Sequence, residues 1–443
     1  MADDRAPLTV DELPGLSAAA RRALKRVLAL PASDEAQAEA TEEALELLKR
    51  DLDGQPAEAL EGVLDLLREE GAYGLSLELL EEAWSAELPL DLLGRVAQDW
   101  VGTVLFGLGD REGARTVARH LRPRAVELGA SFCSDLCDLY LEWGLADEAR
   151  PLAEEVVRAQ PGDASARFHL GVCAKLSGEW PLARESFDEV LLHSTDPATR
   201  WNRALVAVAE RDWAVARAQW SALGLALPPG EGDYAAIGEL TPVRLNGEGG
   251  APDEVLWGAR VCPARVLLTG LPYHHRRFRC GDTLLVDGVK AGEVEHNGAR
   301  HTVVPALGVW EASTGRTVRL VGPPASPEVL GALDAATRAL GARGWAVAHW
   351  TRAFPRLAPA GSRAGEGAPL TQLCVYVPAD RSASELWADL CAHLSGAVEL
   401  YAEGGEGALA AEAAWWASEI GEAPEAHVAG LMGLLGVLGR SLS

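Results

Sequence analysis

The sequence predicts an α+β multidomain protein: an N-terminal α-solenoid of helical hairpins, a central small β-rich module and a C-terminal small α/β domain. Three observations carry this. Residues Ala130 to Asp163 give a pattern that Ala164 to Pro197 repeat thirty-four positions later. Beyond about residue 255 the apolar spacing changes to period two, punctuated by Asp287-Gly288 and Asn297-Gly298. After Pro323-Pro324, strand-like and helix-like runs alternate. At 443 residues the chain is long enough for several cores, since domains run to about 150 residues each.

Residues 1–56 start with a polar lead, then place Leu24, Val27 and Leu28 at helical spacing, break at Pro31, and resume with Ala44, Leu45, Leu47 and Leu48. They are expected to form a helical cap, because the first hairpin of a stack leaves an apolar face that another element must cover.

The repeat follows over 57–227. One copy carries Leu136, Cys137, Tyr140, Gly144, Ala149, Ala153, Val156 and Pro161, and the next carries Leu170, Gly171, Ala174, Gly178, Ala183, Phe187 and Val190. Apolar residues spaced i, i+1 and i+4 make a buried helical face, a glycine permits a tight turn, and a small alanine lets the second helix approach closely. Further copies begin at Ala57, Arg95 and Ala198, the last with one residue deleted in its turn. Five repeats result. No single hairpin buries its own apolar face, so the copies are expected to stack.

This pattern resembles the tetratricopeptide repeat. The resemblance implies that the first helix of each pair lines a concave groove and that offsets 2, 5, 9 and 12 face a ligand. On this chain those offsets are Glu58, Glu61, Asp65 and Arg68; Val96, Asp99, Thr103 and Phe106; and Ser131, Ser134, Asp138 and Leu141. The last two copies give Ser165, Phe168, Val172 and Lys175, then Thr199, Asn202, Val206 and Ala209. Familiar arrays of this kind clamp a peptide carboxylate with Lys, Arg and Asn. Here Glu58, Glu61, Asp65 and Asp99 stand in such places, so the expected partner is a protein segment bearing Lys or Arg, with Phe106 and Phe168 as apolar anchors and Asp138, Lys175 and Asn202 completing the contact set.

Glycine and proline between Pro228 and Pro252 mark a linker. The β-rich module is expected over 240–322, its short strands separated by Asn-Gly and Asp-Gly hairpin signals, giving five or six strands in a barrel or curled sheet. It holds a basic loop, Tyr273-His274-His275-Arg276-Arg277-Phe278-Arg279, with Asp282, His296 and His301 nearby in sequence. A metal-binding or hydrolytic centre on these residues is the alternative to an interaction loop, although adjacent histidines on a strand point to opposite faces.

The α/β domain is expected over 325–443. Ser326 and Pro327 open a helix with Leu330, Leu333, Ala336 and Leu340 on one face; strands follow at 345–350, 373–377 and 398–401, helices at 384–393 and 409–420, and a last helix at 424–441. No phosphate-loop, zinc-protease or nucleophile-elbow motif occurs. The chain is read as a non-enzymatic adaptor with no cofactor.

The formal net charge of −25 argues against nucleic acid or an anionic membrane as partner. Residues 1–230 hold 41 acidic and 23 basic groups, and 51–100 alone hold 13 against 2. Seven cysteines lie in no framework spacing, and no basic-then-apolar leader opens the chain; reduced thiols in a bacterial cytoplasm are expected. Self-assembly into a structural oligomer is the third reading.

Overall fold

The structure, a computed structural model, describes residues 9–30, 35–52, 57–233, 238–246, 253–272, 277–324, 327–349 and 370–381, with Glu385 and Asp389. The chain divides into two compact units, Met1–Val206 and Ala207–Ser443. The boundary falls inside a helix of the last repeat.

In the first unit, α1 (Ala18–Ala29) and α2 (Glu35–Leu52) form the leading hairpin. The Ser17 hydroxyl caps α1 by accepting from Ala20 N at 3.2 Å, and Ser17 N donates to the Asp51 carboxylate at 2.7 Å, closing the hairpin at its base. Ala20, Leu24, Val27, Ala44 and Leu48 are buried in the same core as the repeats that follow.

Five helix pairs come next: α3 (Ala57–Glu69) with α4 (Tyr73–Ser85), α5 (Leu90–Gly102) with α6 (Arg111–Leu128), and α7 (Ala130–Glu142) with α8 (Ala146–Ala159). The fourth joins α9 (Ala164–Leu176) to α10 (Trp180–Leu191), and the fifth joins α11 (Pro197–Ala209) to α12 (Trp213–Ala222). The turn recurs as one hydrogen bond: Ala72 N to Leu67 O, Leu145 N to Tyr140 O, Glu179 N to Ala174 O and Asp212 N to Ala207 O, at 2.6 to 2.9 Å. The residue before each donor is left-handed, which suits Gly71, Gly144 and Gly178; in the fifth pair Arg211 holds the same seat at φ 63°.

The second pair departs from the others. Its repeat runs thirty-five residues from Arg95 to Gly129 where the next two run thirty-four. Its first helix also ends in a π turn, Thr103–Gly107, in which Leu108 N bonds back five residues to Thr103 O at 3.0 Å, and Asp110 N bonds back six residues to Val104 O where the other turns bond back five.

Close packing between helices rests on small side chains. Ala114, Ala149, Ala183 and Ala216, the offset-20 alanines, are fully buried. Gly171 sits under the Phe187 ring, where a Cβ would lie 2.7 Å from it.

The second unit holds β1 (Leu240–Leu245), β2 (Glu254–Cys262), β3 (Arg265–Leu268), β4 (Thr283–Val286), β5 (Gly292–His296) and β6 (Ala299–Glu311). They order as β1-β2-β3-β4-β6-β5, with β1 also pairing β6 in parallel. The parallel closure follows from parity: β1, β2, β3, β4 and β6 alternate in direction, so in a ring of five the first and last run the same way. Val243, Leu245, Val266, Leu268, Leu284, Val286 and Val304 fill this small barrel. The β5–β6 hairpin turns at Asn297-Gly298, both at positive φ, as their sequence predicts.

Helix α12 packs on this barrel through Arg265, whose side chain is 2 % exposed. Its guanidinium lies 4.9 Å from the Trp213 ring centroid and 4.3 Å from that of Trp310, and it pairs with Asp233. The Trp310 indole donates to Val208 O at 3.0 Å.

The end of the stretch expected to form the β-rich module, up to residue 322, belongs instead to β7 (Arg316–Pro324), which pairs with β9 (Leu370–Val377) in a second sheet ordered β7-β9-β8, with β8 at Ala346–His349. The β1–β6 pairing already closes the barrel ring, and β7 joins β9 rather than the free edge of β5. Helix α13 (Pro327–Ala342) buries Leu333, Ala336 and Leu340. The strand expected at 398–401 and the helices at 409–420 and 424–441 lie outside the described residues. No helix among the described residues is long and apolar enough to cross a membrane.

Candidate functional site

Successive first helices are joined through side chains at the groove offsets and two that lie beside them, Arg95 and His169. Between α3 and α5, Arg95 donates from Nη2 to Asp65 Oδ1 at 2.7 Å and from Nε to Asp99 Oδ2 at 2.9 Å. Arg68 completes the ring, reaching Asp65 Oδ1 at 2.6 Å and Asp99 Oδ1 at 3.3 Å. Between α7 and α9, His169 Nε2 meets Asp138 Oδ1 at 2.8 Å. Between α9 and α11, Lys175 Nζ donates to Asn202 Oδ1 at 2.7 Å. With α5 packed against α7, the first helices lie side by side along the stack. The helical region is a stack of tetratricopeptide-like repeats.

The stack presents its expected contact residues unequally. Asp65 and Asp99 are neutralised by Arg68 and Arg95, so that part of the surface carries two charges of each sign. Asp99 is 10 % exposed, and burial lifts its carboxyl above the ordinary range against the pull of Arg95 and Arg68. Glu61 is half-buried on α3; the Glu58 side chain lies outside the described residues. Asp138 is 71 % exposed, whereas its partner His169 is buried with Nδ1 unpaired. Phe168 is half-buried and packs on Phe187 with ring centroids 5.9 Å apart. Lys175 and Asn202 are buried at 3 % and 7 % exposure. Phe106 stands on the π turn, 65 % exposed.

Val96, Thr103, Thr199 and Val206 carry ligand-facing offsets and are buried, so they serve packing. Sequence reasoning missed Arg95, which lies at the first offset of its repeat; its spacing of four from Asp99 was the available signal. Beneath the surface, Cys133 and Cys173 are buried thiols that desolvation pushes up to about 11 and about 12, and the same cause raises Cys137.

Among the described residues the alternative centre on the barrel does not assemble. Asp282 is buried and accepts from Arg279 N and Ser313 N, each at 2.7 Å, which fixes two loops. His296 and His301 lie against Trp257, with ring centroids 4.8 and 5.1 Å from it. Tyr273, His274, His275 and Arg276 lie outside the described residues. Among the described residues no group of three or more His, Cys, Asp or Glu is placed to hold a metal ion.

No family model and no curated protein sequence matches the chain. Among solved structures, MamA from Desulfovibrio magneticus RS-1, residue 41 to the end, is 20% identical over 38% of this chain and 94% of its own, with a TM-score of 0.28. A tetratricopeptide repeat protein from Parabacteroides merdae is 16% identical over 48% of this chain and 82% of its own, with a TM-score of 0.28.

Proposed function

We propose that the chain is a non-enzymatic interaction scaffold that holds another protein along the first helices of its repeat stack. The observation that carries this reading is the set of side-chain bridges across α3–α5, α7–α9 and α9–α11 which, with α5 packed against α7, sets five first helices side by side with mixed chemistry. An extended segment crossing it meets Glu58, Glu61 and the Asp65/Asp99 ring, then Phe106, then Asp138 and Phe168, and ends over Lys175 and Asn202. Exposed carboxylate at Asp138 and the acidic excess of 51–100 favour a segment bearing Lys or Arg.

The test is photo-crosslinking of the full chain in its native cells, with benzoylphenylalanine in place of Phe168 or, as control, of Glu155 on α8. The expected result is one adduct band from position 168 that is absent from 155. Equal adducts from both positions, or none from 168, would reject the first-helix surface as the binding face.

A further inference from the structure

We propose that the π turn of the second pair builds an aromatic docking shelf for a partner segment in which one apolar side chain is flanked by Lys or Arg. The inference rests on the scaffold reading and specifies where its partner is anchored.

Phe106 is the one aromatic among the exposed large hydrophobic side chains of the described residues. A ring left in water forfeits its hydrophobic stabilisation, and a π turn is held less well than the α-helix it interrupts. Both departures fall on the same five residues, Thr103–Gly107.

The turn also organises two further rings. Trp143, from the third pair, lies across Gly102, where a Cβ would come within 3.2 Å of the indole. Tyr73, from the first pair, lies across Gly107, where a Cβ would come within 2.9 Å. Phe106 meets Trp143 edge-on, with centroids 5.2 Å apart and planes at 89°. Three successive pairs thus contribute Tyr73, Phe106 and Trp143 to one shelf, extended by Leu108 at 53 % exposure.

Charge selects the occupant. Glu69 ends α3, Glu70 opens the turn into Tyr73, and Glu142 precedes Trp143; all three are exposed and make no ion pair among the described residues. Asp65 and Asp99 are already matched by arginines, whereas these three carboxylates beside Tyr73 and Trp143 in the chain remain open. Aromatic faces attract cations as well. A second copy docking the same patch on itself would set these carboxylates against each other, which disfavours a symmetric dimer here.

The experiment uses the full chain and three fluorescein-labelled synthetic peptides of a dozen residues: a phenylalanine flanked by Lys and Arg, the same phenylalanine flanked by Glu, and the basic peptide with Ala at the anchor. Fluorescence anisotropy should show the basic phenylalanine peptide binding about ten-fold more tightly than either control. Phe106→Ala should weaken it by about ten-fold. The triple variant Glu69→Gln, Glu70→Gln, Glu142→Gln should bind more weakly and lose most of the salt dependence. Circular dichroism checks that each variant keeps its fold, which surface substitutions leave intact.

Equal binding of the acidic peptide, or undiminished binding by Phe106→Ala, overturns the proposal. So does a concentration-dependent dimer that Phe106→Ala abolishes, because the occupant is then a second copy. Binding that appears only after Arg276, Arg277 and Arg279 are changed to Ser overturns it too, since the chain's own basic loop then fills the shelf. If the peptides fail while position 168 still crosslinks a protein, the scaffold stands and the shelf alone falls.

Discussion

The two ends of the first-helix surface solve the same problem with opposite chemistry. Across α3–α5, four charges, from exposed Arg68 to nearly buried Asp99, close on one another and cancel. Across α9–α11, Lys175 is withdrawn to 3 % exposure and bonded to a neutral amide, while Phe168 remains half-open beside it. Equivalent offsets thus hold a self-satisfied ionic ring at one end and a dry, partly apolar face at the other. A repeat fixes where a side chain points, and neighbouring copies decide whether it is spent on the stack or left for a partner.

Breaking the ring is expected to have the largest effect. Arg95→Met leaves Asp99 buried and Asp65 half-buried with only Arg68 between them. Losing one member of a fully buried pair costs roughly 3 to 5 kcal/mol, but Arg95 and Asp65 are each about a third exposed and partly screened, so about 2 to 3 kcal/mol is expected in urea unfolding. The deficit should shrink as pH falls into the carboxylate range, because burial already raises the Asp99 carboxyl and protonation removes its uncompensated charge. A pH-independent loss would mean that Arg95 acts by packing alone.

At the dry end, Asn202→Ala removes the amide that accepts from Lys175 and donates to Ala198 O at 2.9 Å. A hydrogen bond to a charged group contributes about 1.5 to 3 kcal/mol, and about 2 kcal/mol is expected here. Adding Lys175→Met should recover part of it. Additive losses in the double variant would show that the two side chains are not coupled.

The asymmetry was partly legible before the fold was known. Leu136, Tyr140, Ala149 and their counterparts thirty-four residues on specify a buried stripe and a close helix approach, so the hairpins follow from spacing alone. The π turn does not, because one inserted residue in the second repeat looks like slack in a loose pattern. The cancellation of Asp65 and Asp99 was hidden for another reason: Arg95 comes from a neighbouring copy, and charge pairing across copies depends on stacking distance, which composition does not encode. Asp282 was similarly ambiguous. A carboxylate after Gly281 reads equally as a ligand or as an acceptor for backbone N–H groups, and only the approach of Ser313 N from thirty-one residues away decides it.

The thiols sharpen the contrast by reporting how dry the middle of the stack is. Cys133, Cys137 and Cys173 are all raised by desolvation, so the folded state keeps them protonated while the unfolded chain ionises them near pH 8.5. Their contribution is fully present below that value and is lost as pH rises toward the folded values. Stability should fall between pH 8.5 and 10 by at most about 2 kcal/mol per thiol. Changing all three to Ala should flatten that slope, and an unchanged slope would place the alkaline loss elsewhere.

The smallest effect is expected in the fifth pair, where Arg211 takes the seat that glycine holds in the other turns. A left-handed non-glycine residue costs about 1 kcal/mol, which Arg211→Gly would relieve. The same change removes a guanidinium lying 4.0 Å from the Trp310 ring centroid, worth about 0.5 to 1 kcal/mol at a site this exposed. The two terms nearly cancel, so the unfolding midpoint should shift by less than about 0.5 kcal/mol. Arg211→Ala separates them: it keeps the strain and loses the cation, and should be the less stable of the two variants. If Arg211→Gly is instead clearly destabilised, the arginine at this turn is retained for its hold on Trp310, and the last turn of the stack is set by the barrel's tryptophan more than by the repeat.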